Sequence, residues 1–129
     1  MAGQGVSGGG GPLILVVEDY DDTRALLSLT LSKRGYRVVT ASDGMSGYGL
    51  ALSERPDLIL MDIHMPGLDG LTVTRLLRER EETRGVPIVA VSAYGAPEMR
   101  EKAREAGCDA YIETPVGPEE LIEKIGRLL

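Results

Sequence analysis

The chain of 129 residues has one cysteine, one histidine, no tryptophan and no phenylalanine. A lone cysteine, Cys108, can neither close an internal disulfide nor join a second thiolate around a metal, which fits a reducing setting and an expected cytoplasmic location. The lone histidine, His64, reads as a surface side chain rather than a ligand. Long apolar runs are also missing. Nothing approaches the ~20 residues that cross a bilayer, and the start of the chain has neither a basic stretch nor an apolar segment of signal-peptide length. Cations are in the minority, 14 Lys and Arg against 20 Asp and Glu for a net charge of −6, so no broad basic face exists for a phosphate backbone. Neither nucleic acid nor membrane is expected as a partner; cations and basic partners are favoured.

What is present is globular: 43% hydrophobic and 26% charged residues, in a length that suits one domain. The opening MAGQGVSGGGGP reads as a flexible Gly-rich tail over residues 1–11, with one folded domain over 12–129. From Pro12 onward, short apolar runs alternate with stretches of helical period. The strand candidates are LILVV (13–17), RVVT (37–40), LILM (58–61), IVAV (88–91) and AYI (110–112), with Gly35, Pro56, Gly85 and Gly107 near the junctions as stop signals. The first, third and fourth runs are apolar at nearly every position, the pattern of parallel strands covered on both faces. The last segment carries Leu121, Ile122, Ile125, Leu128 and Leu129 on one stripe and charges on the other. The expectation is an α/β doubly wound sheet of five β-α repeats, whose ligand site lies at the carboxyl ends of the strands.

Those positions hold Glu18 and Asp19 after the first strand, Asp62 after the third, Ser92 after the fourth, and Thr114 with Pro115 after the fifth. Three carboxylates brought to one edge repel unless a cation or proton intervenes. With oxygen ligands only, Mg²⁺ is the natural ion. A carboxylate beside Mg²⁺ is a nucleophile toward a phosphoryl group, giving an aspartyl phosphate, with Ser92 as the hydroxyl in reach.

In order along the chain, VVEDYDD, LMDIHMPGLDG, VAVSAY and GCDAYIETPV are similar to the landmarks of a bacterial response-regulator receiver domain, and the similarity runs from about Leu13 to Leu129. The resemblance implies the flavodoxin-like (βα)5 fold with strand order 2-1-3-4-5. It also implies a stand-alone phosphorelay switch fed by a sensor histidine kinase or phosphotransfer protein, its chemistry self-catalysed so that it is not an enzyme proper. By position, Asp62 is the phosphoacceptor, Asp19 a direct Mg²⁺ ligand, Glu18 a ligand through water, and His64 a backbone-carbonyl ligand. Ser92 and the Ala93 N–H then meet the phosphoryl group, and Tyr111 is the aromatic that rotates inward on activation. The His64 side chain and Tyr94 lie beside the site and tune hydrolysis. The downstream protein partner is expected on the face of the fourth helix, fifth strand and fifth helix, where helix residues 97–106 are mixed in sign. One position departs from the pattern. Thr114 stands where receivers carry lysine, which implies a weaker hold on the phosphoryl group and a damped response, because charge-assisted hydrogen bonds are roughly twice as strong as neutral ones.

Competing readings attach to the same residues. The chain could be a pseudo-receiver, a constitutive interaction module marked by Thr114. A flavin carrier would need a Gly- and hydroxyl-rich loop where EDYDD stands. A haloacid-dehalogenase-type phosphatase needs a second aspartate two residues after its nucleophile, which Asp19 satisfies and Asp62 does not. Singly, Asp62 and Ser92 could be turn residues and Tyr111 a strand-edge aromatic with its hydroxyl in water. Cys108 reads as a small buried hydrophobe, and Arg78 to Glu82 as a solvated helix end.

Overall fold

In the computed structural model, which describes residues 10–129, the apolar runs become strands and the periodic stretches helices. The Gly-rich opening lies, up to residue 9, outside the described residues. The elements are β1 (Leu13–Val17), α1 (Asp21–Lys33), β2 (Arg37–Ala41), α2 (Gly44–Glu54), β3 (Leu58–Asp62), α3 (Gly70–Arg78), β4 (Ile88–Ser92), α4 (Pro97–Ala106), β5 (Ala110–Glu113) and α5 (Pro118–Leu128). All neighbouring strands pair in parallel, in the order β2-β1-β3-β4-β5, the flavodoxin-like topology.

Every residue of β1, β3 and β4 is buried, and the alternating direction of strand side chains splits them between two cores. Ile14, Val16, Leu58, Leu60, Val89 and Val91 pack with Leu27 and Leu31 of α1 and Leu121 and Ile125 of α5. Leu15, Val17, Ile59, Met61 and Ala90 face the other way, against Ala51 of α2, Val73 and Leu77 of α3 and Ala103 of α4. Each buried aliphatic side chain contributes about 1.5–3 kcal/mol, so this two-sided core is what holds the strand ends in place.

Four strands, β2 to β5, run one residue beyond their apolar stretches. The parallel ladder continues regardless of side-chain polarity, pairing Asp62 with Val91 and Ser92 with Glu113. Asp62 and Ser92 are therefore the last rungs of a rigid sheet rather than loop residues, while Glu18, Asp19 and Thr114 follow directly after the strand ends. Gly70 completes the local geometry, because a Cβ there would overlap the Asp62 carbonyl oxygen, and Asp69 caps α3 by accepting from Thr72 N at 2.9 Å. At the other end of the sheet Gly107, with φ 116°, terminates α4.

The charged run Arg78 to Glu82 is not simply a solvated helix end. α3 stops at Arg78, whose guanidinium turns inward to donate to the carbonyls of Gly107 (3.0 Å), Arg84 (3.0 Å), Val86 (2.7 Å) and Thr83 (3.3 Å), and to Asp109 (2.9 Å). The five-donor fork of arginine satisfies loop carbonyls that no ladder reaches. Cys108 is buried as expected, near the Thr74 hydroxyl, and burial pushes its thiol pKa up.

Candidate functional site

The carboxyl ends of β1 and β3 are neighbours in the sheet, so the residues that leave them converge. Glu18 continues β1 through its N–H to the Ala41 carbonyl (3.0 Å), and its side chain is drawn back by the Tyr20 N–H, which donates to Oε2 at 3.1 Å. Asp62 accepts from the His64 N–H through Oδ1 at 3.0 Å, an Asx turn that aims the carboxylate. As a result one carboxylate oxygen each of Glu18, Asp19 and Asp62 lie within 4.8 Å of one another. Glu18 and Asp62 are only 6% and 8% exposed.

That proximity has an electrostatic signature. Burial first, then hydrogen bonding with Asp19 and Glu18 and the charge of Glu18, push the Asp62 carboxyl up to about 8. Burial also raises Glu18. Fold and charge are in conflict here, and among the described residues no Lys or Arg lines the cavity of about 230 Å³ around the cluster. The donor set is all oxygen. Carboxylate oxygens gathered within 4.8 Å of one another, two of their residues buried and none facing a cation in the cavity, are the kind of hard donor set that Mg²⁺ takes. The residues present fit the ion.

The same cavity gathers His64, Ser92, Ala93, Tyr94 and Thr114. Ser92 is buried at the end of β4, where its Oγ accepts from the Tyr94 N–H at 3.0 Å, leaving its own proton to donate. Thr114 is tied beside it by its N–H to the Ser92 carbonyl (2.8 Å), and the Thr114-Pro115 peptide is cis. The His64 imidazole meets Tyr94 edge-on at 5.1 Å, so the two rings frame the mouth together. Tyr111 is 8% exposed and its hydroxyl donates to the Tyr94 carbonyl, which excludes the reading in which that hydroxyl sits in water.

Thr23 also lines the cavity, and the residue-by-residue reading missed it. It stands in the first turn of α1, and only the direction in which that helix leaves β1 turns it toward the cavity. Nearby, Arg24 is occupied by the Glu18 carbonyl (2.9 Å) and Asp21 (2.6 Å), so it braces the loop from below.

Residues 14–126 match the family model of the response regulator receiver domain. The polar-differentiation response regulator DivK of Brucella anthropi is 37% identical over 116 residues, covering 90% of this chain and 94% of that protein. Among solved structures, Vibrio cholerae chemotaxis protein CheY4 superposes with a TM-score of 0.89 at 28% identity, over 93% of this chain and all of that one. The receiver domain of a sensor histidine kinase from Pseudomonas aeruginosa, with a magnesium ion coordinated in its active-site cleft, gives 0.87 at 36% identity, over 92% of this chain and 98% of that one.

Proposed function

This chain belongs to the response-regulator receiver family, and on that premise we propose that it accepts a phosphoryl group on Asp62 with Mg²⁺ and alters its affinity for a partner protein. Receiver domains are signalling switches that interact with histidine kinases and phosphotransfer proteins. The observation that carries the reading is the convergence of Glu18, Asp19 and Asp62 at the sheet's carboxyl edge.

The residues divide the work. Asp19 and Asp62 would hold the metal directly, Glu18 through water, and the His64 carbonyl would complete the protein ligands. When bound, Mg²⁺ offsets the carboxylate charge and the charge on the transferred group's equatorial oxygens. Asp62, deprotonated and oriented by the His64 N–H, attacks phosphorus with one oxygen; the P–N bond to the donor imidazole breaks and its electron pair stays on that ring. Ser92 Oγ–H, the Ala93 N–H and the Thr114 hydroxyl donate to the phosphoryl oxygens. A neutral hydroxyl at Thr114 contributes about 0.5–1.5 kcal/mol where an ammonium would contribute about 1.5–3, so the phosphorylated state is held less firmly.

Two surfaces complete the proposal. On α1, Leu26 and Leu29 are 63% and 54% exposed and three residues apart on one helix face, an apolar strip for a phosphodonor's helix. The downstream partner binds α4, β5 and α5, where mixed charges suit a protein.

Intact-mass measurement after acetyl phosphate tests the reading. One phosphoryl group is expected with Mg²⁺, none without it, and none on Asp62→Asn. Labelling of Asp62→Asn to the wild-type level, or full labelling without metal, overturns it.

A further inference from the structure

Beyond the cavity, the loop from Ser92 to Ala96 is gripped from outside by one α4 side chain. Arg100 lies with its guanidinium 4.6 Å from the centroid of the Tyr111 ring. Its Nε donates to the Gly95 carbonyl at 3.2 Å, and its Nη2 pairs with Glu113 at 3.6 Å. Glu113 in turn packs over Gly95, where a Cβ would overlap its carboxylate. Tyr111 closes the loop from the other side by donating to the Tyr94 carbonyl. An outward swing of Tyr111 would break that hydrogen bond and its stacking under Arg100.

We propose that Arg100, steadied by Glu113, is a positioning residue. It holds Tyr111 inward and fixes the loop that presents the Ser92 hydroxyl and the Ala93 N–H to the phosphoryl group. This rests on the reading of Asp62 as phosphoacceptor. Only arginine combines the required contacts, since a planar guanidinium stacks on a ring while its edge donates to a carbonyl and a carboxylate at once, and a lysine ammonium cannot.

The test uses the full chain and the variants Arg100→Ala, Arg100→Lys and Glu113→Gln. Amide hydrogen exchange at Ala93, Tyr94 and Gly95 is read by NMR without phosphorylation. Phosphoryl lifetime on Asp62 is read after acetyl phosphate is removed at fixed Mg²⁺. Loss of a stacked cation and its ion pair predicts about threefold faster loop exchange and about threefold shorter lifetime in Arg100→Ala, with a smaller change in Glu113→Gln and little rescue by Arg100→Lys. Mg²⁺ affinity and exchange in β1 and β3 should stay at wild-type values, which separates positioning from a general loss of structure. Wild-type loop exchange in Arg100→Ala overturns the proposal, as does a loosened loop with an unchanged lifetime. A wild type that takes no label overturns the site reading and the positioning role with it, whereas normal labelling with wild-type behaviour in every variant removes Arg100's role alone.

Discussion

At the amino end of the sheet two aspartates are matched with donors, while at the carboxyl end three carboxylates face one another. Asp57, just before β3, accepts the Leu13 N–H at 2.7 Å and returns its own N–H to the Leu13 carbonyl at 2.7 Å. Asp109, just before β5, repeats the pattern on Ile88 at the start of β4 and adds Arg78 at 2.9 Å. Among the described residues Glu18, Asp19 and Asp62 have no such cation in their cavity, and Asp62 is driven up to about 8. The contrast shows where stability is invested and where the capacity for chemistry is kept. Carboxylates that each meet a donor or a cation alone tie connections to the strands, and carboxylates crowded together without a cation create a demand for one.

The largest change should come from breaking the satisfied end. Arg78→Ala strands its carbonyl partners and Asp109, and should lower stability by about 3 kcal/mol in urea unfolding, with little recovery in Arg78→Lys. A loss below about 1 kcal/mol would show that this network is decorative.

Next is the pH dependence of the other end. Because the fold raises the Asp62 pKa from 3.8 to about 8, the folded state binds this proton more tightly than the unfolded chain does. Its stabilising contribution is complete below about pH 3.8 and is lost as pH rises toward about 8. Full linkage over pH 5 to 8 would amount to about 4 kcal/mol; with the mouth of the site open to solvent, metal-free wild type should lose about 2 kcal/mol of that relative to Asp62→Asn, and saturating Mg²⁺ should flatten the difference. Parallel pH profiles for the two proteins would contradict the conflict described here.

Smaller still is Thr114→Lys, which supplies a cation to the carboxyl end. The Asp62 titration followed by NMR should move down, and metal-free stability at pH 8 should rise by about 1 kcal/mol. An unmoved titration would mean that position 114 does not act on the acceptor.

The smallest effect concerns Arg55, the one non-glycine with positive φ (51°) among the described residues, in the connection entering β3. Arg55→Gly should raise the melting temperature, for a gain of about 0.5–1 kcal/mol, since glycine takes this conformation without a Cβ penalty. No gain would mean the amino end carries no residual strain there.

Much of this was legible along the chain. Runs apolar at every position announced strands covered on both faces, and Glu18, Asp19, Asp62 and Ser92 stood where such strands end. Other features were not. Arg78 read as one more charge in RERE, because nothing local reveals that helix α3 stops there and leaves distant carbonyls to be met. Thr23 drew no reading at all, because only the course of α1 turns it toward the cavity. The partner of the Tyr111 hydroxyl is a carbonyl 17 residues away, invisible to any periodicity.

By itself, then, the order of residues determined the alternation of strand and helix, the two-sided core and the chemical types available at each strand end, because these follow from local period and side-chain chemistry. Only the tertiary structure decided which of those groups share a charge and which are neutralised. Pairing β1 beside β3 brings carboxylates far apart in sequence to a few ångströms, the range over which a low dielectric turns neighbouring charge into a shifted proton and a place for a metal.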